Sequence, residues 1–163
     1  MKMLLLVSDA NVLIDLELVD LTKELFQLPY HFIIPDVLFE EELKKQHSHL
    51  LDLGLELKVL ESEYISEVFS LIDKYRKTSR NDLFALSLAL QEKATLLTGD
   101  KALRAAAKTE SVAYHGTIWL LCQMVEKDIV TLVRAEKALR KMVELGSRLP
   151  KTTIKEELKK MVV

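Results

Sequence analysis

The sequence predicts an α/β fold: a central, mainly parallel sheet of four to five strands flanked by helices in three layers, α/β/α. Three observations predict it. Short β-favouring apolar runs alternate with longer segments of helical period, and strand–helix alternation yields a parallel sheet covered on both faces. Glycine and proline together supply only seven of 163 residues, against 32 leucines, which leaves too few turns for a many-stranded β-barrel. Hydrophobic residues at 49% and charged residues at 29% are the balance of one compact domain with a single core. No repeat, low-complexity segment or domain boundary interrupts residues 1–163, and residues 131–163 read as a helical C-terminal extension.

The elements follow in order. Residues 3–7 are a continuous apolar run ending in Ser8-Asp9, the pattern of a strand buried on both faces. From Asn11 the spacing of Val12, Leu13, Leu16 and Val19 turns helical, and a second short helix stops at Pro29. Tyr30 to Ile34 is β-rich and closes at Pro35. Residues 36–45 are helical, with acids early and Lys44-Lys45 late, as the helix macrodipole prefers. Gly54 ends that region, and residues 55–60 alternate apolar with charged, as a more exposed strand does. Ser62 is placed to cap a helix reaching Lys77, and Ser79 or Asn81 another through Leu90. Residues 94–98 form a short buried strand turning at Gly99-Asp100. A helix over 101–108, a strand over 111–114, helices over 116–126 and 131–145, and a last helix over 153–161 complete the chain.

Charge and cysteine content exclude several function classes. Twenty-three basic and 25 acidic residues leave a formal charge of −2, so the protein does not grip nucleic acid as a bulk polycation. The charge is unevenly spread: residues 134–160 hold nine Lys or Arg and four Glu, a local +5 that suits either phosphates or a solvated face. The single Cys122 excludes an internal disulfide, a cysteine-rich zinc site and a CxxC pair, and suits a reducing cytoplasm. The first residues show neither the apolar length of a membrane span nor a signal-peptide pattern. No GxGxxG or GxxxxGK[ST] motif supports dinucleotide or P-loop binding.

Several carboxylates occupy positions where an α/β sheet binds ligands, between strand end and helix start. Asp9 follows the first strand and Asp100 follows the 94–98 strand, while Asp82 opens the helix that leads into that strand. Glu40, Glu41 and Glu42 fall in the first turns after the second strand. Each alone also reads as a cap, a dipole partner or a solvated charge. Together they would repel one another unless a cation compensates, and an all-oxygen set suits Mg2+ or Mn2+ rather than zinc.

The order VSDANVLID, IIPDVLFEEEL and SRNDLFALSLALQEKATLLTGDKALRAAA resembles the PIN-domain nucleases across nearly the whole chain, with LLTGDKALR the most specific stretch. HGTIWLLCQMVEKDIV, a helix and GSRLP resemble a toxin-like (VapC-like) subgroup with an extended helical C-terminus. The resemblance implies an acidic quartet of Asp9, Glu41, Asp82 and Asp100; Glu41 is chosen because it lies six residues beyond Pro35, with Glu40 in reserve. Asn11 and Thr98 match supporting polar positions, and Arg80, Lys101 and Arg104, with Arg76 and Lys77, are placed to guide a phosphate backbone. It further implies metal-dependent phosphodiester hydrolysis leaving a 5′-phosphate and a 3′-hydroxyl, an RNA or other single-stranded nucleic acid substrate, an antitoxin partner and a homodimer, while the single cysteine and the short apolar start point to a cytoplasmic setting without membrane association.

Two other readings compete. One is a binding or regulatory module that keeps the fold without turnover. The other is a Mg2+-dependent phosphatase or phosphoacceptor domain, against which the first strand ends in Asp9-Ala10-Asn11 rather than a D-x-D pair. The remaining singular residues are expected to be structural. His31 and His115 show no ligand spacing, and His47-Ser48-His49 is expected on a solvated helix end. Trp119 is expected as a core or interface aromatic rather than a base-stacking platform, and Cys122 as a small buried apolar residue.

Overall fold

Strands β1 (Leu4–Ser8), β2 (Tyr30–Pro35), β3 (Glu56–Lys58), β4 (Thr95–Leu97) and β5 (Tyr114–His115) form one sheet in the order β3-β2-β1-β4-β5. Every pairing is parallel. The computed structural model behind this description covers residues 4–161, so Met3, where the first strand is expected to begin, lies outside the described residues. The chain lays β2 and β3 on one side of β1, then returns to lay β4 and β5 on the other. The boundary between β1 and β4 is therefore the topological switch point, where the loops leaving the strands part and open a crevice.

Helices cover both faces of the sheet. After β1 come α1 (Ala10–Leu18) and α2 (Thr22–Leu25). After β2 the chain runs through α3 (Asp36–Leu38), a π-helical turn (Phe39–Leu43), α4 (Lys44–His47) and α5 (Leu50–Leu53). Between β3 and β4 lie α6 (Ser62–Lys74) and α7 (Arg80–Glu92), and between β4 and β5 lies α8 (Lys101–Thr109). The helices α9 (Thr117–Glu126), α10 (Leu132–Glu144) and α11 (Ile154–Met161) follow β5, with α10 and α11 packed on α9.

The core explains the apolar runs. Leu6 and Val7 of β1, Phe32, Ile33 and Ile34 of β2, and Leu96 and Leu97 of β4 are buried in consecutive pairs or triplets, as central parallel strands must be. Helix α7 is buried nearly all round, through Leu83, Ala85, Leu86, Ser87, Leu88 and Ala89, and lies against β1, β2 and β4. Its one buried hydroxyl is satisfied, because Ser87 Oγ donates to the carbonyl of Tyr64 at 2.7 Å. A helix so enclosed holds its first turn, which carries Asp82, in a fixed place.

The structure departs from the sequence reading in four places. Helix α6 ends at Lys74 rather than Lys77, and its N-cap is Glu61, with no side-chain cap from Ser62. Strand β5 falls on Tyr114–His115 rather than 111–114, because Ser111 adopts a left-handed φ of 61° while Val112 N bonds back to Ala107 of α8. The helix over 36–45 contains the π-helical turn, in which Lys44 N–H reaches Phe39 C=O. Finally, His47 and His49 are not merely solvated: both imidazoles contact the Glu17 carboxylate and tie the α4–α5 region to α1.

The cap of α7 is testable. Ser79 Oγ accepts the Asp82 N–H at 3.1 Å. Ser79→Ala is expected to cost about 1 kcal/mol, the usual value of a lost N-cap, and to lower Tm by roughly 2–4 °C in a thermal melt.

Candidate functional site

Asp9 is the N-cap of α1 and is almost fully enclosed, with 1% of its surface exposed. Its Oδ1 accepts the Val12 N–H at 2.9 Å and its Oδ2 accepts the Thr98 hydroxyl at 2.6 Å. Its own N–H donates to Leu97 C=O at 3.0 Å, so both main chain and side chain are clamped to the end of β4. Thr98, also fully buried, has its N–H on His115 C=O at 3.0 Å, and its Oγ1 accepts the Asp100 N–H at 3.0 Å. One hydroxyl thus bridges the loop after β1 to the loop after β4.

Asp100 caps α8 through Oδ1, which accepts the Leu103 N–H at 2.8 Å, and Oδ2 makes no hydrogen bond among the described residues. Asp82, half-buried in the first turn of α7, completes a group of three aspartates from three separate segments. Their electrostatics are coupled. Burial pushes the Asp9 carboxyl up to about 7, the Thr98 and Val12 hydrogen bonds oppose it, and the charges of Asp82 and Asp100 add to it. Burial also raises Asp82, to about 6, with Asp100 and Glu42 raising it further and Ser79 opposing.

Of the three adjacent glutamates, Glu41 is exposed and gripped by Arg80 Nη2 at 2.7 and 3.0 Å. The amide of Asn81 and the guanidinium of Arg80 hold its carboxyl below the usual range. Glu42 accepts from Asn81 Nδ2 at 3.2 Å, and it is the glutamate whose charge reaches Asp82. Glu40 turns to Lys44 at 2.7 Å. The π-helical turn spreads the three side chains over different partners, and nothing in FEEEL signals it.

The other sequence candidates divide by position. Asn11 is exposed on α1 and, with Asp15, Asp100 and residues 145–149, borders a cavity of about 430 Å3 at the mouth of the crevice. Arg80 is engaged by Glu41, Lys101 is exposed, and Arg104 is half-buried. In the basic C-terminal region, Arg134 pairs with Glu24 and Lys160 with Glu157, so those two serve packing. Arg148, one of the nine basic residues of 134–160 and not distinguished among them by sequence, borders the same cavity as Asn11, carried there by a segment that Ser147 Oγ fastens to Asp15 Oδ1 at 2.8 Å. Its only signal was its position in GSRLP, between two helices.

The donor set fits a hard cation. Among the described residues no three His, Cys, Asp or Glu side chains stand close enough to enclose an ion by themselves. Mg2+ does not require that, since it keeps several waters and takes one or two carboxylates. Among the described residues Asp100 Oδ2 has no hydrogen-bond partner and neither has the buried Asn81 Oδ1, and the charge of Asp100 raises the pKa of both Asp9 and Asp82.

A family model described as a PIN domain matches residues 5–162. Among solved structures the chain is similar to a PilT N-terminus domain protein from the hyperthermophilic archaeon Sulfolobus solfataricus P2, with a TM-score of 0.52 and 17% identity. That likeness covers 76% of this chain and 95% of the archaeal one, and it is a likeness of fold. No protein of curated function matches the chain.

The Thr98 bridge makes a signed prediction. An acid whose folded pKa exceeds its unfolded value binds more protons when folded, so Asp9 lowers stability as pH rises from the ordinary carboxylate range towards 7. Thr98→Val removes a donor that opposes this rise, so the Asp9 midpoint moves above 7 and the protein loses about 1–3 kcal/mol, the cost of an unsatisfied buried acceptor. Carboxyl 13C NMR titration, with melts above and below the midpoint, measures both; the loss is largest where Asp9 is ionised.

Proposed function

The chain belongs to the PIN-domain family, and we propose that it is a metal-dependent nuclease that hydrolyses phosphodiester bonds in RNA. The observation that carries this reading is the gathering of Asp9, Asp82 and Asp100 at the switch point, two of them with carboxyls raised to about 7 and about 6. Burial is the larger cause of both rises and the neighbouring carboxylates add to it, so positive charge at the crevice would relieve both, and a partly buried acidic site is where a divalent ion would be favoured.

Asp9, Glu41, Asp82 and Asp100 would hold Mg2+ or Mn2+, with Glu42 the competing glutamate because its charge acts on Asp82. Such a cation would supply a water of lowered pKa and would offset charge on the phosphorane-like transition state. The chain's own contribution is positioning. Asp9 is fixed by Val12 N–H and Thr98 Oγ1, so little ordering remains to be done when substrate arrives. Thr98 and Asn11 support the acids, and Arg80, Lys101 and Arg104 receive backbone phosphates. The reading extends to a cytoplasmic setting, a homodimer and an antitoxin that covers the groove, as the resemblance implies. No described helix is long and apolar enough to cross a membrane.

Purified protein with Mn2+ is expected to cleave RNA and to stop when EDTA is added. Asp9→Asn should lose more than the roughly 10–100-fold that a supporting residue costs, a loss in the range expected of Asn11→Ala. Glu41→Gln and Glu42→Gln, compared side by side, assign the glutamate by the larger loss. Intact RNA and single-stranded DNA after incubation of the wild type, or an Asp9→Asn variant that cleaves equally well, would overturn the proposal.

A further inference from the structure

A second cavity, of about 250 Å3, adjoins the 430 Å3 cavity that Asn11, Asp15 and Asp100 border; Gly99, Thr117, Arg148 and Leu149 line both. A Cβ built on Gly99 meets nothing within 4 Å, so a side chain added there would enter open space where the two cavities meet. Two of the residues lining the second cavity are cationic: Arg104 of α8, half-buried, and Arg148 of the segment before α11, exposed, and neither guanidinium has an ion-pair partner among the described residues. Glu157, the carboxylate of the same cavity, is already engaged by Lys160 and Thr152, each at 3.1 Å. A guanidinium without a carboxylate partner keeps its fork of N–H donors available to a phosphate. The first turn of α9 adds to this polarity, since its N-cap is Gly116 and no side chain caps it.

The same lining includes the apolar side chains of Ile118 and Trp119 of α9 and Met161 of α11, with Cys122 fully buried beneath them. Trp119 is held in place by stacking on His115 at 4.0 Å and on Tyr30 at 5.8 Å between ring centroids. Unpaired arginines and apolar side chains lining one cavity are the chemistry of a nucleotide site. At 250 Å3 the space is smaller than the roughly 300–1,000 Å3 of drug-sized sites, which suits one nucleotide better than a length of strand.

We propose that this cavity is a nucleotide subsite of the groove: it receives the nucleotide beside the scissile phosphate, with phosphate on Arg104 and Arg148 and the base against Trp119 and Met161. The inference rests on the nuclease reading and deepens it, because it gives Arg148 and Met161 of the C-terminal extension a part in holding the substrate. The Ser147–Asp15 hydrogen bond helps to fasten that segment to α1.

Trp119 is the single tryptophan, so its emission reports on the cavity. The test titrates the wild type, in EDTA, with ribonucleoside 5′-monophosphates, the matching nucleosides and inorganic phosphate. Saturable emission changes are expected for the nucleotides, with nucleosides roughly tenfold weaker and phosphate acting as a competitor. Arg104→Gln and Arg148→Gln should each weaken nucleotide binding roughly tenfold at an unchanged Tm, with Arg148→Lys recovering part of the loss. Gly99→Leu, which puts a side chain into the space where the two cavities meet, should abolish binding. No saturable change with any nucleotide, or a response indifferent to both arginine substitutions, overturns the subsite. Nucleotide binding by a protein that cleaves no RNA overturns the nuclease reading alone, whereas RNA cleavage without nucleotide binding overturns the subsite alone.

Discussion

The hydroxyl of Thr98 is the contact on which the candidate site depends. It donates to Asp9 Oδ2 and accepts from Asp100 N–H, so one buried group sets the distance between two carboxylate-bearing loops. The parallel ladder delivers it to that place: Asp9 N–H bonds to Leu97 C=O and Thr98 N–H to His115 C=O, which aligns the ends of β1, β4 and β5. The enclosed helix α7 then brings Asp82 to the same end of the sheet. No segment of the chain holds these groups together by itself. The sheet order does, because β1 and β4 are neighbours although some 90 residues separate Ser8 from Leu97.

That arrangement sets stability against function. A buried carboxylate with two carboxylate neighbours is destabilised when ionised, and the raised pKa of Asp9 and Asp82 expresses that cost. Two hydrogen bonds to Asp9 offset part of it, and among the described residues no basic side chain is bonded to it. Arg80 instead engages Glu41, and Arg104 and Arg148 line the cavity on which Gly99 also borders. The overall charge of −2 conceals this separation of clustered aspartates from unpaired arginines, so it does not by itself argue against a phosphate-bearing partner.

Much of this was legible in the residues. The apolar runs of β1 and β4, passing into Ser8-Asp9 and Thr98-Gly99-Asp100, marked the strand ends, and Ser79 or Asn81 marked the start of α7, where the structure uses Ser79. Those features are local, and local sequence encodes them directly. What escaped was set by three-dimensional contacts. The π-helical turn arises inside a helix whose composition favours an ordinary α-helix, and it decides which way Glu40, Glu41 and Glu42 face. The pairing of His47 and His49 with Glu17 spans 30 residues and has no motif. Arg148 could be counted in the basic C-terminal region but not placed, because its position depends on where the chain between α10 and α11 crosses α1.

The central claim is that Asp9 and Asp100, joined by the Thr98 bridge, share a cation with Asp82, which α7 brings to the same end of the sheet. Anomalous diffraction from crystals grown in Mn2+ tests it most directly. The account predicts a manganese peak within coordination distance of carboxylate oxygens from Asp9, Asp82 and Asp100, some of the contacts running through water, and the loss of that peak in Asp9→Asn. Manganese bound only elsewhere on the protein, or a peak that persists unchanged in the Asp9→Asn crystal, would contradict it.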